Sequence, residues 1–133
     1  MGEAMNKAAR KNECVVLLAH GSKDPRWRIP FEEILRVAQS QAGEGRVRLA
    51  YMEFIEPTLM DVARECAEQG ISRIRIFPLF LAMGMHLATD IPRQAEDVRD
   101  QFPKLKVEVL PPLGEDPRMV ALMQQIVFET IDT

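Results

Sequence analysis

Both histidines of the chain follow apolar segments that have the character of β-strands. His20 comes directly after residues 14–19, and His86 comes shortly after residues 74–80. Imidazole nitrogens bind transition-metal ions and accept protons near neutral pH. A lone histidine at a strand end is more often an exposed loop residue. Two histidines at corresponding strand ends instead favour a site for metal binding or proton transfer.

A carboxylate and a group of cations occur at similar positions. Glu53 follows the segment 46–51, in which apolar residues alternate with others, so it is either part of the same cleft or a solvated strand-end acid. Three cationic side chains lie within the segment 23–28, which indicates either a site for a polyanionic ligand or a solvated loop. The candidate ligand-binding residues are Ser22, Lys23, Arg26, Arg28 and Arg93.

The elements that must position these residues are four strands alternating with four helices. The predicted strands are residues 14–19, 46–51, 74–80 and 105–110. Helical spacing of apolar residues follows each strand, for example in the segment between Pro57 and Gly70. The third helix is expected to have Pro92 near its first turn. The last helix presents a predicted buried face made of Met119, Leu122, Met123, Ile126 and Val127.

This alternation predicts a single α/β domain with a four-stranded parallel sheet and helices on both faces. The wholly apolar first strand belongs in the centre of the sheet, which favours the strand order 2-1-3-4. In such sheets ligands bind beyond the carboxyl ends of the strands, where the winding reverses. That point lies between strands 1 and 3, so the loops of His20 and His86 are expected to lie side by side.

Composition limits the remaining possibilities. The 133 residues carry a net charge of −3 and are 47% hydrophobic, which argues for one globular domain and against a nucleic-acid binder. No apolar run is long enough for a membrane span. Residues 1–13 are expected to form a flexible tail before the domain at 14–133. Cys14 and Cys66 form no CxxC pair, so we expect free thiols and a cytoplasmic location.

Known nucleotide, zinc-protease and serine-hydrolase motifs are absent from the sequence, but an ordered series of short motifs is present. The series consists of His20-Gly21-Ser22, Glu53 with Pro57, Phe77-Pro78-Leu79-Phe80-Leu81, Gly84-Met85-His86, Asp90-Ile91-Pro92 and Pro111-Pro112-Leu113-Gly114. Together they resemble the small sirohydrochlorin chelatases of the CbiX type, among the class II chelatases. The resemblance extends from Val15 to the last helix.

The resemblance implies an enzyme, a lyase that inserts a divalent metal into sirohydrochlorin without ATP, in cobalamin or sirohaem biosynthesis. It implies that His20 and His86 bind the metal and assist removal of pyrrole protons, with Glu53 as an acid near the same cleft. The metal is a substrate (Co²⁺, Fe²⁺ or Ni²⁺, with cobalt or iron favoured), and no permanent cofactor is implied. Longer chelatases contain two such domains, so the resemblance implies a homodimer here.

Two other functions remain open from the sequence. The same fold could carry a tetrapyrrole or a metal without turnover, although a carrier would not require a proton acceptor. A small phosphoryl-transfer or phosphate-binding domain using His20 is a more distant alternative, and it predicts indifference to mutation of His86. Histidine and carboxylate ligands accept several first-row metals, so the sequence does not select one metal.

Overall fold

The computed structural model describes residues 12–133, in which four parallel strands alternate with four α-helices. The strands are β1 (Glu13–Ala19), β2 (Val47–Tyr51), β3 (Arg73–Pro78) and β4 (Lys106–Val109). The helices are α1 (Ile29–Ala42), α2 (Leu59–Glu68), α3 (Met85–Gln101) and α4 (Pro117–Ile131), with short 3-10 turns at Glu44–Arg46 and Leu113–Glu115. Most of the predicted tail, residues 1–11, lies outside the described residues. No helix within 12–133 has both the length and the apolar character needed to span a bilayer.

The strand order is β2-β1-β3-β4 with every pair parallel, which confirms the predicted fold class and order. β1 lies in the centre and is almost entirely buried, because it is apolar on both sides and both of its edges are paired. Val16 and Leu18 point to one face of the sheet, while Leu17 and Ala19 point to the other. The sheet therefore separates two apolar layers.

The first layer lies beneath α2 and α3, and the second lies beneath α1. In α2 the apolar side predicted from residue spacing is buried, and it includes Leu59, Val62 and Cys66. A capping box at Thr58 starts this helix. On the opposite face, Phe31 of α1 packs against the sheet together with Leu35, Ala38 and Trp27. Packing on both sides of the central strands fixes the carboxyl edge where the candidate site residues lie.

Helix α3 begins earlier than the sequence indicates. Proline favours the first turn of a helix, so Pro92 was expected there. The helix instead starts at Met85, and Pro92 lies in its interior. The Ala88 amide donates to the Gly84 carbonyl at 3.0 Å, so the chain is helical well before the proline. His86 consequently lies in the first turn of α3, and the prediction of a loop position was wrong.

Helix α4 forms as predicted, but its apolar side is not buried. None of its residues is buried, and its contacts are mainly with the preceding turn Leu113–Glu115. The apolar spacing predicts a helix correctly, but it does not specify the surface on which that helix packs. The predicted core role of Met119, Leu122, Met123, Ile126 and Val127 is therefore wrong within a single chain.

Candidate functional site

His20 and Glu53 form a close pair at the carboxyl edge of the sheet. His20 is the first residue after β1, and Glu53 lies on the loop after β2. His20 Nε2 lies 3.1 Å from Glu53 Oε1, and both side chains are nearly half exposed. His20 Nδ1 lies 3.1 Å from the Gly21 carbonyl oxygen. Both ring nitrogens face acceptor oxygens, so either tautomer of the ring can donate a hydrogen bond to one of them.

The backbone holds the two loops of this pair together. The Met52 amide donates to the Ala19 carbonyl at 2.9 Å, and the Glu53 amide donates to the His20 carbonyl at 3.1 Å. These bonds continue the pairing of β1 and β2 beyond the end of β2. Gly21 has a φ of 102°, and a Cβ atom at this position would lie 1.9 Å from the Glu53 carbonyl oxygen. Only glycine permits this approach of the two loops.

His86 forms a second pair, with a residue that the sequence analysis did not select. His86 Nε2 lies 3.1 Å from Asp90 Oδ2, one turn further along α3. The other carboxylate oxygen of Asp90 accepts a hydrogen bond from Arg93 at 2.6 Å. The His86 side chain is 77% exposed, whereas that of Asp90 is only 19% exposed, so the more buried carboxylate holds the more exposed imidazole. The spacing of four residues on one helix is the signal that identifies such a pair once the helix start is known.

Each chain therefore carries two separate histidine–carboxylate pairs. Among residues 12–133, no three His, Cys, Asp or Glu side chains lie close enough to hold one metal ion. The predicted partnership of His20 with Glu53 is present as a contact. His20 and His86 are not brought together around a common point within one chain. Either pair still leaves most coordination positions of a bound metal open to other ligands.

Three of the four predicted cationic side chains contact carboxylates. Arg26 donates to both oxygens of Asp24, at 3.2 and 2.9 Å, and this interaction holds the pKa of Asp24 below its usual range. Arg28 lies 3.8 Å from Glu32, and Arg93 bonds Asp90. The arginine side chains of these ion pairs are exposed, so they can exchange partners.

Lys23 and Ser22 have different surroundings. The Lys23 ammonium lies 5.7 Å from the centre of the Phe54 ring, within cation–π distance. Ser22 is occupied in a local turn, where its hydroxyl accepts a hydrogen bond from the Asp24 amide at 3.1 Å. The loop therefore presents Lys23 as its least neutralised cation. The role of Ser22 in the structure is to shape the loop.

Exposed apolar side chains on the same loops were missed by the sequence analysis. Phe54, Leu81 and Met85 are all largely exposed, and they follow β2 or β3 as the two histidine pairs do. The Phe54 ring centre lies 6.1 Å from that of His20, and Phe54 adopts a left-handed backbone conformation with φ of 73°. Exposed large apolar residues grouped beside polar ones are typical of a ligand-binding surface.

The fold and the paired histidines define an open α/β domain whose candidate site residues follow the carboxyl ends of its parallel strands. Comparison with known proteins identifies the family. The chain belongs to the CbiX family, whose family model matches residues 14–130. The match includes every strand except the first residue of β1, every helix except the last residue of α4, and both histidine pairs.

Curated relatives and solved structures agree with this assignment. The sirohydrochlorin cobaltochelatase of Sulfurisphaera tokodaii is 29% identical over 120 residues, covering 88% of this chain and 92% of that protein. The chloroplastic sirohydrochlorin ferrochelatase of Arabidopsis thaliana is 31% identical over 100 residues, covering 75% of this chain and 44% of that protein.

The structure of a CbiX protein from Marinobacter aquaeolei superposes with a TM-score of 0.80 at 31% identity, covering 90% of this chain and 98% of that one. The cobalt complex of the chelatase SirB from Bacillus subtilis subspecies spizizenii shares the fold, with a TM-score of 0.70 at 22% identity. This chain spans 44% of the length of SirB.

Proposed function

We propose that this protein is a sirohydrochlorin metal chelatase that inserts Co²⁺ or Fe²⁺ into the macrocycle without ATP. The observation that carries the proposal is the 3.1 Å contact of His20 with Glu53 at the edge of the sheet, in a chain of the CbiX family. The relatives named above act on sirohydrochlorin with cobalt in one case and iron in the other. With cobalt the reaction serves cobalamin formation, and with iron it serves sirohaem formation.

The chemistry of the donors fits this reaction. A tetrapyrrole loses two ring N–H protons as one divalent metal enters, so insertion needs proton acceptors close to the metal. The His20–Glu53 and His86–Asp90 pairs supply two such acceptors, one in each pair. Unprotonated imidazole also binds Co²⁺, Fe²⁺ and Ni²⁺, so His20 and His86 serve as metal ligands before transfer.

The surroundings of the pairs fit a large, flat, polyanionic substrate. The exposed apolar side chains of Phe54, Leu81 and Met85 provide surfaces for the macrocycle. Lys23, Arg26, Arg28 and Arg93 provide charge for its peripheral carboxylates, and the three arginines do so by exchanging their present carboxylate partners. Ser22 supports this loop. No resident cofactor is required by this scheme.

The proposal includes a homodimer in the cytoplasm. A single small domain leaves both histidine pairs open to solvent, and relatives of about twice the length exist, so two copies are expected to enclose the substrate. The cytoplasmic location is supported by two buried free cysteines, since oxidising compartments favour disulfides.

The test is an absorbance time course of sirohydrochlorin with Co²⁺ and then Fe²⁺, with tetrapyrrole binding measured in parallel. We expect His20→Ala and Glu53→Gln to lower the insertion rate by about 100-fold or more, the usual contribution of a positioned proton acceptor. His86→Ala should lower it as well. Glu56→Gln is the matched control, because Glu56 is an exposed acid on the same loop.

Each alternative predicts a distinct result. Tight tetrapyrrole binding with no acceleration above the protein-free rate would exclude the enzyme and leave a carrier. Phosphate release from a generic substrate, unaffected by His86→Ala, would indicate the phosphoryl-transfer alternative. Equal rates for Glu53→Gln and Glu56→Gln would remove Glu53 from the mechanism.

A further inference from the structure

A polar side chain of α3 lies in line with the His86–Asp90 pair but does not belong to it. His86, Asp90 and Gln94 are spaced by four residues, so their side chains lie along one side of the helix. The buried residues that hold α3 on the sheet form the adjoining side, and they are Ile91, Ala95 and Val98. Asp90 is bonded to His86 and to Arg93. Gln94, one turn further along, contacts a different part of the molecule.

The Gln94 side chain reaches the loop that carries Glu53. Gln94 is half-buried, and its Nε2 atom donates a long hydrogen bond, of 3.5 Å, to the Met52 carbonyl oxygen. Among the hydrogen bonds and ion pairs of residues 12–133, no other joins a side chain of α3 to the segment 52–57. This bond is therefore the polar connection between the helix of the second pair and the loop of the first.

Met52 is the point at which this connection reaches the first histidine pair. The Met52 amide donates at 2.9 Å to the carbonyl of the last residue of β1. The next residue, Glu53, donates its amide to the His20 carbonyl and places its carboxylate 3.1 Å from the His20 ring. The backbone at Met52 thus accepts from α3 and donates to β1. A shift of this residue moves Glu53 with it.

Side-chain packing does not fill the space that the bond crosses. A cavity of about 210 Å³ lies between α3 and this loop, and its lining includes Met52, Gln94 and Asp97 together with the first residues of α2. Close-packed interiors resist small displacements, whereas an open gap does not. The separation of α3 from the Glu53 loop therefore depends on the Gln94 bond more than on apolar contact.

We propose that Gln94 is a positioning residue that sets the distance between the His86–Asp90 pair and the Glu53 loop. The inference rests on the proposed function, in which proton acceptors of both pairs must lie close to one macrocycle. A displacement of about 1 Å is enough to slow a reaction that requires several groups at fixed positions. Gln94 acts through the Met52 carbonyl and the loop that follows it.

The kinetic test compares two glutamines of the same helix. Gln94→Leu removes the donor and keeps most of the side-chain volume, and Gln101→Leu is the matched control at the exposed end of α3. In the absorbance assay with Co²⁺, we expect Gln94→Leu to lower kcat by about tenfold or more. KM for sirohydrochlorin should stay nearly constant, because the groups that bind the macrocycle are unchanged. Gln94→Lys retains a donor of similar reach and should recover most of kcat.

Hydrogen exchange tests the contact without any chelatase activity. The Met52 and Glu53 amides are bonded to the end of β1, so their exchange, followed by NMR, measures how often this loop opens. Loss of one hydrogen bond in Gln94→Leu should accelerate both amides by about three- to fivefold. Amides of β3 should keep their native rates in this variant, and Gln101→Leu should change neither set.

The two measurements separate this inference from the proposed function. Unchanged exchange of the two loop amides in Gln94→Leu would overturn the positioning role, whether or not the native chain is active. An active native chain with equal kcat values for the two leucine variants would overturn it as well, as would a kcat that Gln94→Lys does not restore. A native chain that does not accelerate insertion would contradict the proposed function, and the exchange rates would still decide whether Gln94 holds the loop.

Discussion

The absence of a side chain at position 21 allows the His20 loop to lie against the Glu53 loop. We predict that Gly21→Ala separates them, because a methyl group there would lie 1.9 Å from the Glu53 carbonyl oxygen. Gly70→Ala is the matched control. Gly70 also has a positive φ, of 78°, but nothing lies within 4 Å of its added Cβ.

The control should show only the conformational cost, about 1 kcal/mol of unfolding free energy, and retain the insertion rate. Gly21→Ala should cost more and lower the insertion rate as well, since the His20–Glu53 contact depends on the two loops. Urea unfolding and the absorbance assay measure these quantities. Equal unfolding costs and unchanged rates for the two variants would contradict the prediction.

At the same scale, the sequence predicted some site residues better than others. His20 and Glu53 follow adjacent strands, so topology alone brought them to one edge, and their contact confirms that placement. Asp90 was missed because its partnership with His86 depends on helical spacing, and the helix was expected to start later. Phe54 was missed because exposed apolar loop residues have no periodicity to mark them.

At the scale of the element, the start of α2 determines where the Glu53 loop ends. The Thr58 hydroxyl accepts from the Asp61 amide at 3.1 Å, and the Asp61 carboxylate accepts from the Thr58 amide at 2.9 Å. We predict that Thr58→Ala lowers the free energy of unfolding by about 1 kcal/mol at neutral pH. Thr130→Ala, at an exposed position of α4, should have little effect in the same urea titration.

The effect of the cap should depend on pH. Hydrogen bonds from the Thr58 amide and hydroxyl hold the pKa of Asp61 below its ordinary value. A carboxyl with a lowered pKa stabilises the fold above its ordinary pKa, near 4, and loses that contribution as pH falls through the lowered value. The difference between the native chain and Thr58→Ala should therefore shrink in acid. A constant difference from pH 7 to pH 3 would exclude this role for Asp61.

The four helices show how far periodicity determines an element. In α2, apolar spacing, the proline before it and the glycine after it all agreed, and the predicted face is buried. In α3 a proline suited to a helix start lies in the interior, and the start was placed too late. In α4 the spacing was correct, but the surface it packs on is not encoded locally. Element type is local, whereas the packing partner is a property of the assembled fold.

At the scale of the whole molecule, the strand order followed from a wholly apolar first strand and crossover connections, so the arrangement of the edge was predictable. The enclosure of that edge was not predictable from the sequence, since His86 remains largely exposed in one chain.

If two copies enclose the substrate, the insertion rate per chain should fall as the protein is diluted through the dimer dissociation range. We expect the rate to track the dimer fraction measured by light scattering. An inert protein, added to keep the total protein concentration constant, controls for adsorption of the chain to surfaces. A constant rate per chain in samples that scatter as single chains would show that one domain suffices.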